Sequence, residues 1–438
     1  MTQSTMSGTD ATYPRAVRLA PESNAAQPDE QAEAKSEERV SLWFLFWTFL
    51  KIGSIAFGGF MALVSVVENT IVRRRGLMEH KEMLDGISLA NLLPGPMAVN
   101  VVAFVGYRLR GPAGAVASAT GVLLPTFVLI LFLSHLYFTY GHIAALGNVF
   151  RGLIPAVAAI VLSVVWRMGK KTVTGRAEGA LVAISVAMLA LVPDALRVYA
   201  PLAIIAIGAL AGITLFRARG DAPTETRAPR PFSVRRLVLV LSGLGILAAL
   251  WFFPLPLAPD GTARLALTFA SMSLMLFGGG YVFIPIIGAL VVSHYGWVTQ
   301  QQFLDGIALG QVTPGPILIT AAFIGYKVAG VAGATASTVA IFTPPAVLMV
   351  TASNALDYIQ RSRAMRAVMR GIHCGVIGMI LVAGFQILHS AFPGWPVAFA
   401  QVWPGALIFL ASLIALVRFN LDVVWIIPAA GLLGYALY

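Results

Sequence analysis

Asp85-Gly86-Ile87-Ser88-Leu89-Ala90-Asn91-Leu92-Leu93-Pro94-Gly95-Pro96 returns 220 residues later as Asp305-Gly306-Ile307-Ala308-Leu309-Gly310-Gln311-Val312-Thr313-Pro314-Gly315-Pro316, with seven of the twelve positions identical. Working outward, Phe57-Gly58-Gly59 returns as Phe277-Gly278-Gly279, and Gly106-Tyr107-Arg108 as Gly325-Tyr326-Lys327. Gly111, Gly114, Pro125 and Arg151-Gly152 recur as Gly330, Gly333, Pro344 and Arg370-Gly371. Order and spacing are kept throughout, so the chain is two copies of one unit. Proline lacks an amide donor and clashes with the preceding helical turn. Each copy is therefore a helix interrupted at Pro-Gly-Pro, with a second interruption upstream at the glycine pair.

The solvent of that unit follows from composition. Of 438 residues, 58% are hydrophobic and 11% charged, with a mean hydropathy of +0.82. A soluble domain carries about 25% charged residues, so this is an all-α polytopic membrane protein. Residues 1–41 differ: they hold four basic and seven acidic groups, lack an apolar run, and read as a disordered cytoplasmic tail with no signal peptide. The first membrane repeat covers 42–216. A basic cytoplasmic linker at 217–236 and a connector helix at 237–253 follow, and the second repeat covers 254–438. An odd connector between two equal copies inserts the second upside down, as in many secondary transporters.

Loop charge sets the orientation. The linker arginines, the group Arg167, Lys170, Lys171 and Arg176, and the group Arg361, Arg363, Arg366 and Arg370 all fall inside when the N-terminus is cytoplasmic and Tyr438 lies outside. Arg73-Arg74-Arg75 obeys the rule only if the first segment doubles back at Phe57-Gly58-Gly59. Each repeat is thus either six spans, or four spans and two re-entrant hairpins. The charge rule favours the hairpins.

Broken helices are tolerated in a membrane where they are buried in protein or line a watery cavity. The helix resuming at Pro96 leaves free N–H groups near Met97 and Ala98, and helix N-termini bind oxyanions. Gly95 carries no side chain to keep an anion away. Pro314-Gly315-Pro316 supplies the second terminus. The candidate substrate-binding residues are Pro94, Gly95, Pro96, Met97, Pro314, Gly315 and Pro316 at these breaks, and Gly58, Gly59, Gly278 and Gly279 at the glycine breaks. Asn91, Asn100 and Gln311 sit beside them as amides that either hold an oxyanion or cap freed carbonyls. Lys51 lies ~13 Å into the first segment by helical rise, too deep to snorkel comfortably. It would need a buried partner, either a substrate anion or, structurally, Asp85 or a backbone carbonyl. Asp85 and Asp305 open the second segments and read as N-caps or as functional carboxylates. Arg108 and Lys327 read as helix-end side chains reaching for headgroups. A kink with no ligand is the plain alternative for every break.

Enzyme readings fail. The six histidines show no H-E-x-x-H spacing, Cys374 is the single cysteine, and no phosphate-cradling loop occurs. No cofactor, metal or nucleic-acid module is expected.

These repeated motifs resemble the chromate ion transporter family, long-chain type with two homologous halves, over about residues 42–438. The resemblance implies export of chromate through the bacterial inner membrane, driven by the membrane potential or an ion gradient. Many members continue the first glycine pair with Pro and then Ala-His, where this chain has Phe60-Met61-Ala62-Leu63. Sulfate or another oxyanion is the alternative substrate, and a membrane scaffold or lipid-handling protein the alternative of another class. The expected partners are the oxyanion and the bilayer, and a homodimer is compatible with the sequence.

Overall fold

The computed structural model describes residues 40–57, 60–141, 143–193, 196–216, 234–250, 258, 261–355, 362–392 and 399–438. The tail to residue 39, Gly58, Gly59, the linker to residue 233 and the end of the expected connector lie outside the described residues. Every regular element among the described residues is helical.

The first repeat opens with α1 (Leu42–Ile55). α2 (Phe60–Glu68) follows, extended by a π-helical turn over Asn69–Arg74. α3 (His80–Leu92) runs to the Pro-Gly-Pro break and α4 (Met97–Tyr140) leaves it. α5 (Ala144–Thr172), α6 (Arg176–Leu191) and α7 (Ala200–Ala211) complete the repeat. α8 (Val234–Leu250) is the connector. The second repeat runs through α9 (Thr262–Ser273), the short α10 (Phe283–Gly288), α11 (Gln300–Val312), α12 (Thr320–Ala352), α13 (Arg363–Ala391), α14 (Phe399–Arg418) and α15 (Val423–Leu437).

The chain doubles back at the breaks. A side chain on Gly86 would run into the ring of Phe104, and one on Gly306 into Phe323. In one straight helix residues 86 and 104 would stand ~27 Å apart, so α3 and the start of α4 form an antiparallel hairpin with Pro-Gly-Pro at its tip. α4 reverses once more at Arg110 (φ −147°) and Gly111 (φ +66°), where the backbones of Gly106 and Gly114 meet. α12 does the same at Ala329 and Gly330 (φ +58°), with Gly325 against Gly333. Left-handed backbone at these corners is what requires glycine. Each of these helices is thus a short arm and a long arm. The short arm of α4 is buried from Met97 to Gly106, and that of α12 from Thr320 to Gly325.

The first segments fold back too. The Arg75 guanidinium lies 4.8 Å from the ring centroid of Phe44, so the end of α2 returns to the start of α1. In the second repeat Thr268 on α9 hydrogen-bonds Tyr295 at 3.4 Å, beyond α10, and Phe269 stacks on Trp297. The three arginines therefore lie at the same end as the beginning of α1.

Among the described residues, four helices are long and apolar enough to cross a membrane: Met97–Tyr140, Leu146–Thr172, Ile317–Ala352 and Arg363–Ala391. The long arm of α4, residues 111–140, still measures ~45 Å, more than a ~30 Å hydrocarbon layer requires. The protein is a multi-pass membrane protein. Glycines bring its helices together: Gly53 lies on Val122 between α1 and α4, Gly152 on Gly434 between α5 and α15, and Gly208 on Gly371 between α7 and α13. Such contacts replace the hydrophobic drive that lipid cannot supply.

Two sequence expectations change here. Asp305 is not an N-cap. Thr299 caps α11 in a reciprocal box with Gln302, and Asp305, 3% exposed one turn further in, accepts from Tyr137 Oη at 2.6 Å and Gln301 Nε2 at 3.0 Å. Asp85 likewise sits inside α3, which Glu79 precedes as the cap residue. The helix after the first break begins at Met97, with Pro96 as its cap residue rather than in its first turn.

Candidate functional site

The two repeats meet at their breaks in a reciprocal pattern. Gly95 N–H donates to the carbonyl of Leu276 at 2.8 Å, and Gly315 N–H donates to the carbonyl of Ala56 at 3.1 Å. Ala56 and Leu276 are equivalent positions, as are Gly95 and Gly315. Each Pro-Gly-Pro tip therefore hydrogen-bonds the backbone just before the glycine break of the other half. The pairing extends outward. Tyr107 Oη accepts from Asn354 Nδ2 at 3.1 Å, and Tyr326 Oη meets His135 Nδ1 at 3.0 Å. His135 and Asn354 also correspond between the repeats.

Gly95 and Gly315 do not hold space open for an anion. Gly95 (φ +105°) lies against the ring of Pro345, and Gly315 (φ +116°) against Thr126, whose hydroxyl donates to the carbonyl of Pro314. Absence of a side chain serves close approach of the other half's long arm. The N–H groups of Met97, Ala98 and Val99 precede the first intrahelical bond of α4, from Asn100 N–H to the Pro96 carbonyl at 3.0 Å. In the copy, Ile317 and Leu318 hold these places before the bond from Ile319 N–H to the Pro316 carbonyl at 3.0 Å.

The amides mostly tie up backbone. Asn91 Nδ2 donates to the Ile87 carbonyl at 2.9 Å. Asn100 Nδ2 donates to the Pro94 carbonyl at 3.1 Å, which leaves its buried Oδ1, an acceptor, without a partner among the described residues. An acceptor repels an oxyanion, so Asn100 fixes the tip. Gln311 is different: its Nε2 reaches Tyr281 Oη at 3.4 Å, across to the glycine break of its own half.

Lys51 is not brought to the breaks. It is exposed and lines a groove between α1 and α2 with Trp47, Thr48, Ile55, Thr70 and Arg75. The expected buried ammonium is not formed, because α1 turns Phe49, Ile52 and Gly53 inward. The remaining charged suspects are paired or stacked. Glu68 meets Arg73 at 3.4 Å and His80 at 3.3 Å. Arg108 meets Glu82 at 3.1 Å, and Lys327 lies over Phe138.

The break at Gly278 and Gly279 gathers side chains that sequence reasoning passed over. A Cβ on Gly278 would stand 3.2 Å from His373 Cδ2 and 3.6 Å from Met168 Cε, while the place beside Gly279 (φ +111°) is open. His373 comes from α13, and Arg167, next to Met168, from α5. His373 looked like one of six scattered histidines, and Arg167 like one more basic loop residue. The signal in the sequence was the broken repeat: His373 corresponds to Ile154 and Tyr281 to Met61.

An apolar cleft of about 600 Å³ between the long arms of α4 and α12 is a poor anion site. It is lined by residues such as Val99, Ala103, Leu123, Phe127 and Phe342, and its Thr335, Thr338 and Thr351 hydroxyls are spent on their own helices.

Comparison with known proteins agrees with this architecture. The family model for the chromate transporter matches residues 43–213 and again 263–435. A chromate transport protein of Pseudomonas aeruginosa is 30% identical over 406 residues, covering 90% of this chain and 92% of its own. A chromate transport protein of Cupriavidus metallidurans is 27% identical, covering 95% and 98%. An uncharacterized transporter of Methanocaldococcus jannaschii is 27% identical, covering 89% and 93%. No solved structure matches the chain.

Proposed function

This chain belongs to the chromate transporter family, and from that premise we propose that it is a secondary transporter exporting chromate across the bacterial inner membrane, with no catalytic step. The reciprocal pairing of the breaks, Gly95 with Leu276 and Gly315 with Ala56, carries the reading. It concentrates irregular backbone and free helix-terminal donors where the two halves meet, which is where transporters built from repeats bind their cargo. The doubled-back segments act as re-entrant hairpins. The first repeat's pair enters from the cytoplasm and, after the connector α8, the second repeat's pair enters from outside. In that arrangement the repeats are inverted, the tail and linker are cytoplasmic, and Tyr438 lies outside.

The direction follows from charge. A dianion leaving a cell that is negative inside gains about 5 kcal/mol per 100 mV, counting ~2.3 kcal/mol per charge. That is over about a thousandfold in concentration ratio, so export needs no coupled ion and uptake would. In a chromate-sensitive bacterium, expression should lower chromate accumulation relative to an empty vector. Equal accumulation with the protein shown in the membrane would reject chromate as exported cargo. Sulfate competition in proteoliposomes tests the neighbouring oxyanion.

A further inference from the structure

The two glycine breaks are equivalent in the repeat but not in chemistry. Around Gly278 stand an imidazole, a phenol and a carboxamide, and Arg167 precedes Met168, whose methyl faces Gly278. His373 Nε2 is buried with no hydrogen-bond partner among the described residues, and the His373 ring lies against Gly278. Gln311 Nε2 donates to Tyr281 Oη, leaving that hydroxyl proton free to be given elsewhere. Arg167, whose Nη2 reaches Ser163 Oγ at 3.3 Å, sits beside Met168 on α5. Open space lies beside Gly279, and Gly278, Gly279, Gly280 and Tyr281 are all partly accessible. At the corresponding positions of the first break the sequence has Ile154 for His373, Met61 for Tyr281 and Gln386 for Arg167.

We propose that His373, Tyr281 and Gln311, gathered at the second glycine break, together with Arg167 beside Met168 on α5, form an oxyanion-selecting site, and that the first break, whose counterparts are Ile154, Met61, Asn91 and Gln386, is its structural twin. The proposal rests on the transport reading above and assigns its cargo site to particular side chains. All four groups can donate hydrogen bonds to a divalent tetrahedral oxyanion. The guanidinium offers two parallel donors, the arrangement that suits such an anion best. The Nε2–H tautomer of His373 supplies a third, and the orphaned nitrogen then has its partner. α5 and α13 run antiparallel here, since Gly384 packs on Leu162 while Met168 and Val376 both face Gly278. The site therefore lies toward the end of α5 that carries Lys170 and Lys171, so its mouth opens on a positive face that draws anions in.

The test is chromate and sulfate transport in proteoliposomes, paired with thermal stabilisation of the purified protein by each anion. Arg167→Gln and His373→Gln should each raise KM for the transported anion about tenfold or more, the scale of one lost hydrogen bond to a charged group. They should also abolish the stabilisation by that anion. Arg167→Lys should recover part of the affinity. Met61→Leu, Ile154→Val and Gln386→Leu, at the twin break, should stay within about twofold of wild type, the scale of non-contacting changes. If Arg167→Gln does not fold, Tyr281→Phe and Gln311→Leu decide by the same readouts. Unchanged KM and stabilisation in folded variants at the second break, or equal losses at the twin break, would overturn the proposal. If wild type moves sulfate and not chromate, and the same variants abolish it, the site stands and the chromate reading falls.

Discussion

Gly95 and Gly315 are constrained twice, by left-handed backbone and by the neighbour each must admit. A side chain at Gly95 meets Pro345 and one at Gly315 meets Thr126. The strained backbone costs ~1–2 kcal/mol and overpacking ~1–3 kcal/mol. Gly95→Ala and Gly315→Ala should each destabilise the protein by about 2–5 kcal/mol in thermal unfolding and reduce transport with it. A stable, fully active variant at either position would show that the breaks tolerate separation. Lys51→Met serves as contrast. Its side chain is exposed in the α1–α2 groove, so stability and transport should stay at wild-type level. Loss of transport there would return Lys51 to the cargo path.

At the scale of elements, an ion pair buried on its Glu178 side ties three helices. Arg370 on α13 meets Glu178 on α6 at 2.8 Å, donates to Thr174 at 2.7 Å and lies over the ring of Phe216 beyond α7. The Glu178 side chain is 1% exposed. Removing one partner strands the other charge, so Arg370→Met and Glu178→Gln should each cost about 3–5 kcal/mol. The double variant should recover most of that loss. Additive losses, read from thermal unfolding, would show that the pair contributes independently of its pairing. The elements themselves were legible in the sequence. The repeat and the Pro-Gly-Pro breaks could be read directly, and the arginines at 73–75 favoured hairpins over simple spans without deciding between them, because each is a local property of backbone or charge. What was not legible is which break bonds to which. The carbonyls of Leu276 and Ala56 are ordinary peptide groups until folding brings them to Gly95 and Gly315. For the same reason Lys51 was misread: hydropathy gives its depth, and only packing gives its face. His373 lay hidden because it is a single residue of a later helix, brought to Gly278 only by packing.

For the whole molecule, the hairpins decide topology. Arg75 beside Phe44 returns the end of α2 to the starting side of α1. A cysteine placed at Gly76 should therefore react from the cytoplasm, with reporters at residue 40 and Arg227 cytoplasmic and at Tyr438 external. Labelling of Gly76→Cys from outside would replace the hairpin by a simple crossing. The cross-bonded breaks also bear on descent. Because the two backbone bonds of that interlock are equivalent, a single-copy ancestor could have closed it by pairing with a second molecule of itself. In such a pair any change at one tip is a change at both. Once the copies share one chain that bond of identity is released, and one tip can specialise while its twin keeps the architecture. The divergence of Ile154 from His373 and of Met61 from Tyr281 is what that release permits: two breaks of one origin need not stay alike.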